Sequence, residues 1–240
     1  DRELSKLKGV SFDIHKGEIF GVAGVDGNGQ NELVESLTGL RPIEKGDIIF
    51  KGHSIRNLSS LKIRKTGIAH IPEDRNKTGL NNKFTIKENL IANLYRKKPY
   101  SKWICLKNSL IKEYAEGLIK KFDIRASGID IPVESLSGGN AQKVIVAREV
   151  DLNSELIIAS QPTRGVDVGS IESIREILNE VKKKGAVVLL VSADLEEILS
   201  LSDRIAVMYE GKIMGIVSAS EATELNLGLL MTGGKAIEKE

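Results

Sequence analysis

Residues 18–32 read EIFGVAGVDGNGQNE, a short apolar run that leads into a glycine-rich turn. The run at 18–23 is typical of a buried strand. A strand, a glycine loop and a helix in this order are the context that a phosphate-binding loop requires. The stretch therefore predicts such a loop, called the glycine loop below, at residues 24–32 of an α/β fold. The apolar residues that follow with the spacing of one helical face are Leu33, Val34, Leu37 and Leu40.

The glycine loop departs from the usual pattern, G-x-x-x-x-G-K-[ST], at the positions that carry its chemistry. In that pattern the lysine reaches the terminal phosphates and the hydroxyl holds magnesium. Here the lysine position is Gln30 and the hydroxyl position is Asn31. Asp26 and Glu32 add negative charge that disfavours an anion. Two interpretations stay open, a weak nucleotide site held by backbone amides and a plain tight turn. The candidate nucleotide-binding residues are Gly24, Asp26, Gly27, Asn28, Gly29, Gln30, Asn31 and Glu32.

A second candidate site is the stretch SLSGGNAQ at residues 135–142, which precedes apolar residues with helical spacing. A serine and two glycines that open a helix present unpaired N–H groups and a hydroxyl, and such an end attracts a phosphate. Any turn can carry Ser-Gly-Gly, so the stretch gains weight only beside the upstream glycine loop. The candidate residues of this signature turn are Leu136, Ser137, Gly138, Gly139 and Asn140.

The composition is that of a globular chain with room for two lobes. It has 240 residues, 41% of them hydrophobic, which is enough to bury a large core. The net charge of +2 gives no bulk attraction to nucleic acid. The single cysteine, Cys105, excludes an internal disulfide. The chain has no run of about eighteen apolar residues, so it is not expected to span a membrane. The histidines lack partners at metal-ligand spacing, so no metal site is expected.

The order of the predicted elements indicates a parallel sheet interrupted by a helical insertion. A helix that begins at Ser170 leads into an apolar strand, and strand–helix–strand units of this kind form right-handed crossovers. Strand patterns disappear between about residues 82 and 150. We therefore expect a core from residues 1–81 and 151–240 and a helical subdomain from 82–150. The predicted strands are 19–23, 47–50, 67–71, 156–159, 186–191 and 204–209, and the predicted helices of the insertion are 84–95 and 110–122.

With these motifs placed, the chain resembles the nucleotide-binding domain of an ABC transporter over nearly its whole length. The motif order carries the resemblance: the glycine loop, the signature at 136–140, then Pro162-Thr163 and Asp167 after a strand. The resemblance implies a P-loop NTPase (RecA-like) fold. Such a fold has a parallel-sheet core, an antiparallel β subdomain and an inserted α-helical subdomain.

Three stretches narrow the resemblance to one branch of the family. They are VDGNGQ at 25–30, IPEDR at 71–75 and SQPTRGVD at 160–167. They are most similar to the second, C-terminal half of fused importers for simple sugars and nucleosides, with a lean to nucleosides. In such proteins two ABC halves share one polypeptide, so this chain is expected to be one half. The sequence leaves the transported solute open.

Departures from the family pattern predict a degenerate ATP site. In active members an aspartate and a glutamate stand at the positions of Ser160 and Gln161, where they order magnesium and polarise the attacking water. Ala193 replaces the switch histidine, and Glu73 replaces the glutamine that usually links magnesium to the membrane-facing helices. Phosphoryl transfer depends on positioning and on charge stabilisation. We therefore expect no catalytic residue in this chain's own site, and weak or absent magnesium binding.

The resemblance also implies partners. In the family, two domains pair head to tail, so Ser137, Gly138 and Gly139 are expected to act in trans on ATP held by the partner half. Asp167 is expected to cross that interface, and the turn Glu73-Asp74-Arg75 to face an integral membrane permease. An extracytoplasmic solute-binding protein is an indirect partner, nucleic acid is not one, and the location is the cytoplasmic face of the membrane.

Two other functions stay open at this point. One is an independently active transport ATPase, which the missing lysine, acids and histidine disfavour. The other is a soluble ABC protein that acts on ribosomes or DNA. Proteins of that kind usually carry basic extensions and intact sites, which this sequence lacks.

Overall fold

A computed structural model describes residues 6–103 and 105–234. The chain divides into two compact units. The first comprises residues up to 70, residues 154–161 and residues from 178 onward, and the second comprises residues 71–153 and 162–177. The helical subdomain predicted at 82–150 falls within the second unit, which also contains both flanks of that segment.

The described residues form ten strands and eight α-helices in an order typical of an α/β protein. The strands are β1 (Ile19–Ala23), β2 (Ile49–Phe50), β3 (His53–Ser54), β4 (Ile68–Ile71), β5 (Ser101–Lys102), β6 (Cys105–Leu106), β7 (Leu156–Ser160), β8 (Val187–Ser192), β9 (Arg204–Tyr209) and β10 (Lys212–Ser218). The helices are α1 (Gln30–Leu37), α2 (Ser60–Lys65), α3 (Ile86–Ile91), α4 (Asn108–Lys121), α5 (Gly138–Val150), α6 (Val168–Lys183), α7 (Leu195–Leu201) and α8 (Glu224–Met231).

A six-stranded sheet, in the order β10-β9-β1-β8-β7-β4, organises the first unit. β1 pairs in parallel with both β8 and β9, and β7 pairs in parallel with β8. The edge strand β10 runs antiparallel to β9, because it returns from β9 through a tight hairpin in which Lys212 pairs with Tyr209. The glycine loop leaves the end of β1, so the sheet holds that loop beside the ends of β7 and β8.

Every residue of β1 and β7 is buried, which explains why these strands are continuous apolar runs. Strands covered on both faces are continuous rather than alternating in hydrophobicity. Phe20 of β1 is fully buried, and its ring stacks on Phe12 with centroids 5.1 Å apart. Full burial of one such side chain stabilises the fold by about 1.5–3 kcal/mol, so the strand that carries the glycine loop is a rigid base.

Helices build the second unit. α3 packs against both α4 and α5, and its start is fixed by a capping box. In this box the Glu88 N–H donates to the Thr85 hydroxyl, and the Thr85 N–H donates to the Glu88 carboxylate. Ile86 and Leu90 of α3 are fully buried, as is Ile145 of α5. The second unit therefore has its own apolar core around the helix that follows the signature turn.

The strands predicted at 19–23 and 204–209 are confirmed with the same bounds. Three other expectations need correction. The strand expected at 47–50 is only Ile49–Phe50, and Asp47 bonds to Ser54 of β3 through its side chain rather than its backbone. The helix expected at 84–95 is α3, Ile86–Ile91, which begins after the Thr85 cap. A two-stranded hairpin, β5–β6, lies where no strand pattern was found.

Leu40 was expected on the apolar face of α1, but the helix ends at Leu37 and the Leu40 side chain is 62% exposed. Gly39 adopts φ +72°, the left-handed conformation that ends helices. A Cβ atom at Gly39 would overlap the backbone oxygen of Leu58. The turn therefore follows its own backbone geometry, and the periodic leucine after it lies outside the helix.

Candidate functional site

The glycine loop connects β1 to α1. Gly27 and Gly29 have φ of 91° and 108°, a conformation in which glycine is strongly favoured. α1 begins at Gln30, and the first N–H groups of a helix have no acceptor within the helix. Such a helix end suits a phosphate, although Glu32 places a carboxylate in the first turn.

The Gln30 side chain folds back into the loop that it opens. Its Nε2 donates to the backbone oxygen of Val25 at 3.0 Å, and a Cβ atom at Gly24 would overlap the same nitrogen. The side chain is only 7% exposed, and its buried Oε1 has no hydrogen-bond partner among the described residues. A lysine here would reach outward to phosphate, whereas this amide occupies the interior of the loop.

Gln161 spans the loop and the neighbouring strands. It follows β7 with φ +46°, and its Nε2 donates to the Asp26 carboxylate at 3.4 Å. Its Oε1 accepts from the Ser192 hydroxyl and the Ala193 N–H, each at 3.4 Å. The structure thus brings Gln161 and Ala193 to the glycine loop from distant parts of the sequence. Ser192 also belongs to this group, and the sequence did not indicate it.

A small cavity of about 10 Å³ lies at this place, close to the size that a single water needs. Its lining is polar and weakly charged, with one carboxylate. Among the described residues, no group of three histidine, cysteine, aspartate or glutamate side chains could hold a metal ion. The lining residues are Asp26, Gly27, Gln30, Asn31, Ser160, Gln161, Val191 and Ser192.

Asn28 fixes the loop to the hairpin between β9 and β10. Its side-chain oxygen accepts from the Glu210 N–H at 3.0 Å, and its backbone oxygen accepts from the Gly211 N–H at 2.8 Å. Of the predicted loop residues, Asn28 therefore has a structural role, while Asn31 is exposed.

The signature turn opens α5 with a capped N-terminus. Ser137 is the cap residue, and its hydroxyl accepts from the Asn140 side chain at 2.9 Å and more weakly from the Asn140 N–H at 3.4 Å. Asn140 in turn accepts from the Arg125 N–H at 2.7 Å. Leu136 precedes the cap and is partly buried. Ser137 itself is exposed, so its hydroxyl is held in place and remains accessible.

Both glycines of the turn are crowded by loops of the second unit. A Cβ atom at Gly138 would lie 3.0 Å from an Arg75 guanidinium nitrogen, and one at Gly139 would overlap the Ser170 hydroxyl and the Asp167 carboxylate. A methyl group at Gly139 would require Ser170 and Asp167 to move, and one at Gly138 would press on Arg75, so close packing favours glycine at both positions.

Asp167 and Ser170 form a tight pair beside Gly139. The Asp167 carboxylate accepts from the Ser170 hydroxyl at 2.9 Å and from the Ser170 N–H at 3.0 Å. These bonds, the hydroxyl first, lower the pKa of the Asp167 carboxyl. The sequence analysis selected Asp167 and began the following helix at Ser170. The helix begins at Val168, and Asp167 precedes it as a cap that accepts from the Ser170 N–H.

The turn at residues 73–75 contacts the loop at 164–167, which leads to Asp167. Asp74 caps a π-helical turn, Arg75–Gly79, and the backbone N–H of Lys77 lowers the pKa of the Asp74 carboxyl. Arg75 donates to the backbone oxygens of Arg164 and Gly165 at 2.9 and 3.1 Å. Glu73 forms an ion pair with Arg164. The residues predicted to face a membrane partner therefore hold the loop that leads to Asp167.

No helix in the described part of the chain is long and apolar enough to cross a membrane. A family model described as ABC transporter matches residues 7–164. The nucleoside import ATP-binding protein NupA of Lactococcus lactis is 47% identical over 97% of this chain and 46% of its own length. The guanosine import ATP-binding protein NupO of Bacillus subtilis is 48% identical with the same coverage. A ribose import ATP-binding protein RbsA of Bacillus cereus is 38% identical over 96% of this chain.

The fold expectation is confirmed by solved structures. A nucleotide-free ATP-binding cassette from an ABC transporter superposes with a TM-score of 0.77 at 26% identity, and the match covers 90% of this chain and 86% of that one. A dimeric cassette bound to ADP and phosphate gives 0.75 at 22% identity, over 89% and 90%. This chain spans about half the length of the curated relatives it matches.

Proposed function

Because the chain belongs to the ABC transporter family, we propose that it is an ATP-binding half of an importer for nucleosides or simple sugars. The two nucleoside-type relatives are 47% and 48% identical, against 38% for the ribose-type relative, which favours nucleosides. Each match covers 46% of the relative. That share is consistent with one half of a fused polypeptide. In the proposal this chain is the second, C-terminal half, with residues 1–81 and 151–240 as core and residues 82–150 as helical subdomain.

The chain's own ATP site is degenerate in this proposal. The amide of Gln30 occupies the loop interior, and Gln161 stands where a base would polarise water. An amide cannot accept a proton from water at neutral pH, and Ser160, 2% exposed, offers one hydroxyl in place of a carboxylate. Nucleotide binds weakly through backbone amides, magnesium contributes little, and the half hydrolyses nothing on its own.

One observation carries the second part of the proposal: Ser137 is oriented by its cap hydrogen bonds and is nevertheless exposed. An exposed hydroxyl beside the open N–H groups of α5 is a ready anion contact. Leu136–Asn140 therefore serve ATP held by the partner half, while Asp167 lies at the same interface. Hydrolysis takes place in the partner's site, and this half completes it.

The remaining partners follow from the importer assignment. Glu73, Asp74 and Arg75 receive the movement of a permease subunit and pass it to the loop at 164–167 through the bonds described above. A solute-binding protein delivers the substrate to that permease. The chain is peripheral, at the cytoplasmic face of the membrane. The import names of the relatives disfavour a role on ribosomes or DNA.

The test is a pair of substitutions in the assembled transporter. Ser137→Asp keeps a good helix cap but places a negative charge where phosphate must bind, so uptake is expected to fall by roughly a hundredfold. Ser137→Asn keeps the cap without the charge and is expected to lose far less. Solute uptake and thermal unfolding are measured for both variants.

Normal uptake by Ser137→Asp, at an unchanged unfolding temperature, would contradict the role in trans. Phosphate release by this chain alone with Mg-ATP would instead favour an independently active ATPase. The two results are separable, because the first concerns the partner's site and the second concerns this chain's own site.

A further inference from the structure

A basic segment without acidic residues runs through the second unit. Between Glu88 and Glu113 the sequence contains no aspartate or glutamate. Five of its cations are exposed, and no ion pair among the described residues holds any of them. Their charge is therefore available to a partner. These cations are Arg96, Lys97, Lys98, Lys102 and Lys107.

A small hairpin gives this segment a fixed base. β5 and β6 pair so that Ser101 is opposite Leu106, and the Lys107 N–H donates to the Tyr100 oxygen at 2.8 Å. The Tyr100 ring packs against Tyr114 of α4 with centroids 5.1 Å apart. The Ser101 N–H donates to the Lys97 oxygen at 3.2 Å. The cations before the hairpin and the hairpin itself are thus one connected structure, fastened to a helix.

The tip of this structure presents its apolar residues to solvent. Trp103 is 93% exposed, and Leu106 is 50% exposed. Trp103 is the only tryptophan of the chain. A large aromatic side chain normally contributes through burial, and one held outward on an anchored hairpin gains nothing from this chain. Tryptophan beside lysine and arginine is the combination enriched at membrane–water interfaces.

We propose that the basic hairpin, residues 95–103 and 105–107, binds an anionic lipid surface, with Trp103 at the headgroup level and the cations against lipid phosphates. The inference rests on the proposed function for its membrane location and adds a direct lipid contact to it. Positive charge around a protruding tip complements a flat anionic surface, whereas lysine is depleted at protein–protein interfaces. Each cation near such a surface strengthens binding by roughly fivefold.

The experiment uses the single tryptophan as its probe. The purified protein is mixed with vesicles of phosphatidylcholine alone, or of equal parts phosphatidylcholine and phosphatidylglycerol. With the anionic vesicles we expect a blue shift of tryptophan emission, protection from acrylamide quenching, and co-sedimentation that weakens as salt rises. Phosphatidylcholine alone is expected to produce none of these changes.

Two double variants locate the contact. Lys97→Gln with Lys98→Gln is expected to weaken vesicle binding by at least about tenfold. Lys62→Gln with Lys65→Gln removes the same charge from α2, where both lysines are exposed, and is expected to change binding by less than about twofold. Trp103→Ser is expected to weaken the part of the binding that salt does not remove.

An unshifted emission on anionic vesicles would overturn the proposal, as would equal losses in the two double variants. A shift seen only in proteoliposomes that contain permease subunits would assign the hairpin to a protein contact and would also overturn it. The vesicle assay contains no nucleotide and no partner half. Failure of the importer proposal would therefore appear in uptake while lipid binding remained.

Discussion

The glycine loop and the signature turn both open a helix, yet their backbones are stabilised in opposite ways. At the glycine loop, the left-handed Gly29 precedes α1, and the Gln30 amide turns inward to fill the space. At the signature turn, the Ser137 hydroxyl caps α5, and neighbouring loops press on both glycines from outside. The glycine loop is thus filled by its own Gln30 side chain, whereas the signature turn is packed against residues of neighbouring segments.

A residue of a sequence motif can be needed for packing or for contact with a ligand, and the two turns differ in this respect. Close packing favours glycine at positions 138 and 139 whether or not a nucleotide binds. Ser137 is different, because a helix cap can be supplied by several residues and its exposure leaves it available to a ligand. At the glycine loop the glycines are present while Gln30 occupies the lysine position of the usual pattern, so the backbone shape is present without that charge.

The largest effect is expected from Gly139→Ala. The added methyl group would overlap Ser170 and Asp167, and overpacking of this kind costs about 2 kcal/mol in the free energy of unfolding. Gly117→Ala is the matched control, because Gly117 lies within α4 with nothing near its Cβ position. That control is expected to be neutral or to stabilise by up to about 1 kcal/mol.

Urea unfolding of both variants measures this difference. A Gly139→Ala protein as stable as the wild type would show that the turn has room for a methyl group. The glycine would then need a reason other than packing, and the proposed contact with the partner's nucleotide would gain weight.

The strands of the sheet could be predicted because long apolar runs are buried on both faces, whatever lies beside them. The hairpin of β5 and β6 could not, since its strands have two residues each and no alternation of apolar and polar side chains. Its position depends on the packing of the Tyr100 ring against Tyr114, a contact that the local sequence does not specify.

The candidate site divides in the same way. Glutamine at the lysine position of the usual loop pattern is visible in the sequence, whereas the inward direction of the Gln30 amide is not. The contact of Gln161 with Asp26 joins residues from separate strands, so it follows from the order of the sheet. Ser192 lies in the site because β8 is adjacent to both β1 and β7 in the sheet.

The next effect is expected from Gln30→Lys. Lysine has no acceptor, so the buried Oε1 without a partner is removed, and a positive charge is gained where phosphate would bind. The affinity of the purified chain for Mg-ATP is expected to rise by about tenfold, equal to about 1.4 kcal/mol. No turnover is expected, because Gln161 and Ser160 are unchanged.

Gln30→Met is the control for this calorimetric titration, since methionine removes the same acceptor at similar length without adding charge. An equal gain in both variants would attribute the effect to opening the loop rather than to charge. ATP turnover by Gln30→Lys would contradict the interpretation that Gln161 cannot support hydrolysis.

The smallest effect concerns acid and tests the surroundings of the signature turn. The bonds from Ser170 lower the pKa of Asp167 in the folded state, below the ordinary value of 3.8. The ionised carboxylate therefore stabilises the fold above about pH 4, and this contribution is lost as the pH falls through the lower, folded-state pKa. Asp167→Asn is expected to reduce stability at pH 7, and its difference from the wild type is expected to shrink toward pH 3.

Ser170→Ala removes the hydroxyl, the largest cause of the lowered pKa, while it leaves the Asp167 carboxylate in place. In that background, Asp167→Asn should show a smaller and flatter difference across the same pH range, measured by urea unfolding at each pH. A difference that persists unchanged at pH 3 would mean that Asp167 supports the turn through packing against Gly139 rather than through its charge. Close packing would then be what Asp167 contributes to the signature turn, whereas the glycine loop is held by a hydrogen bond from the Gln30 amide.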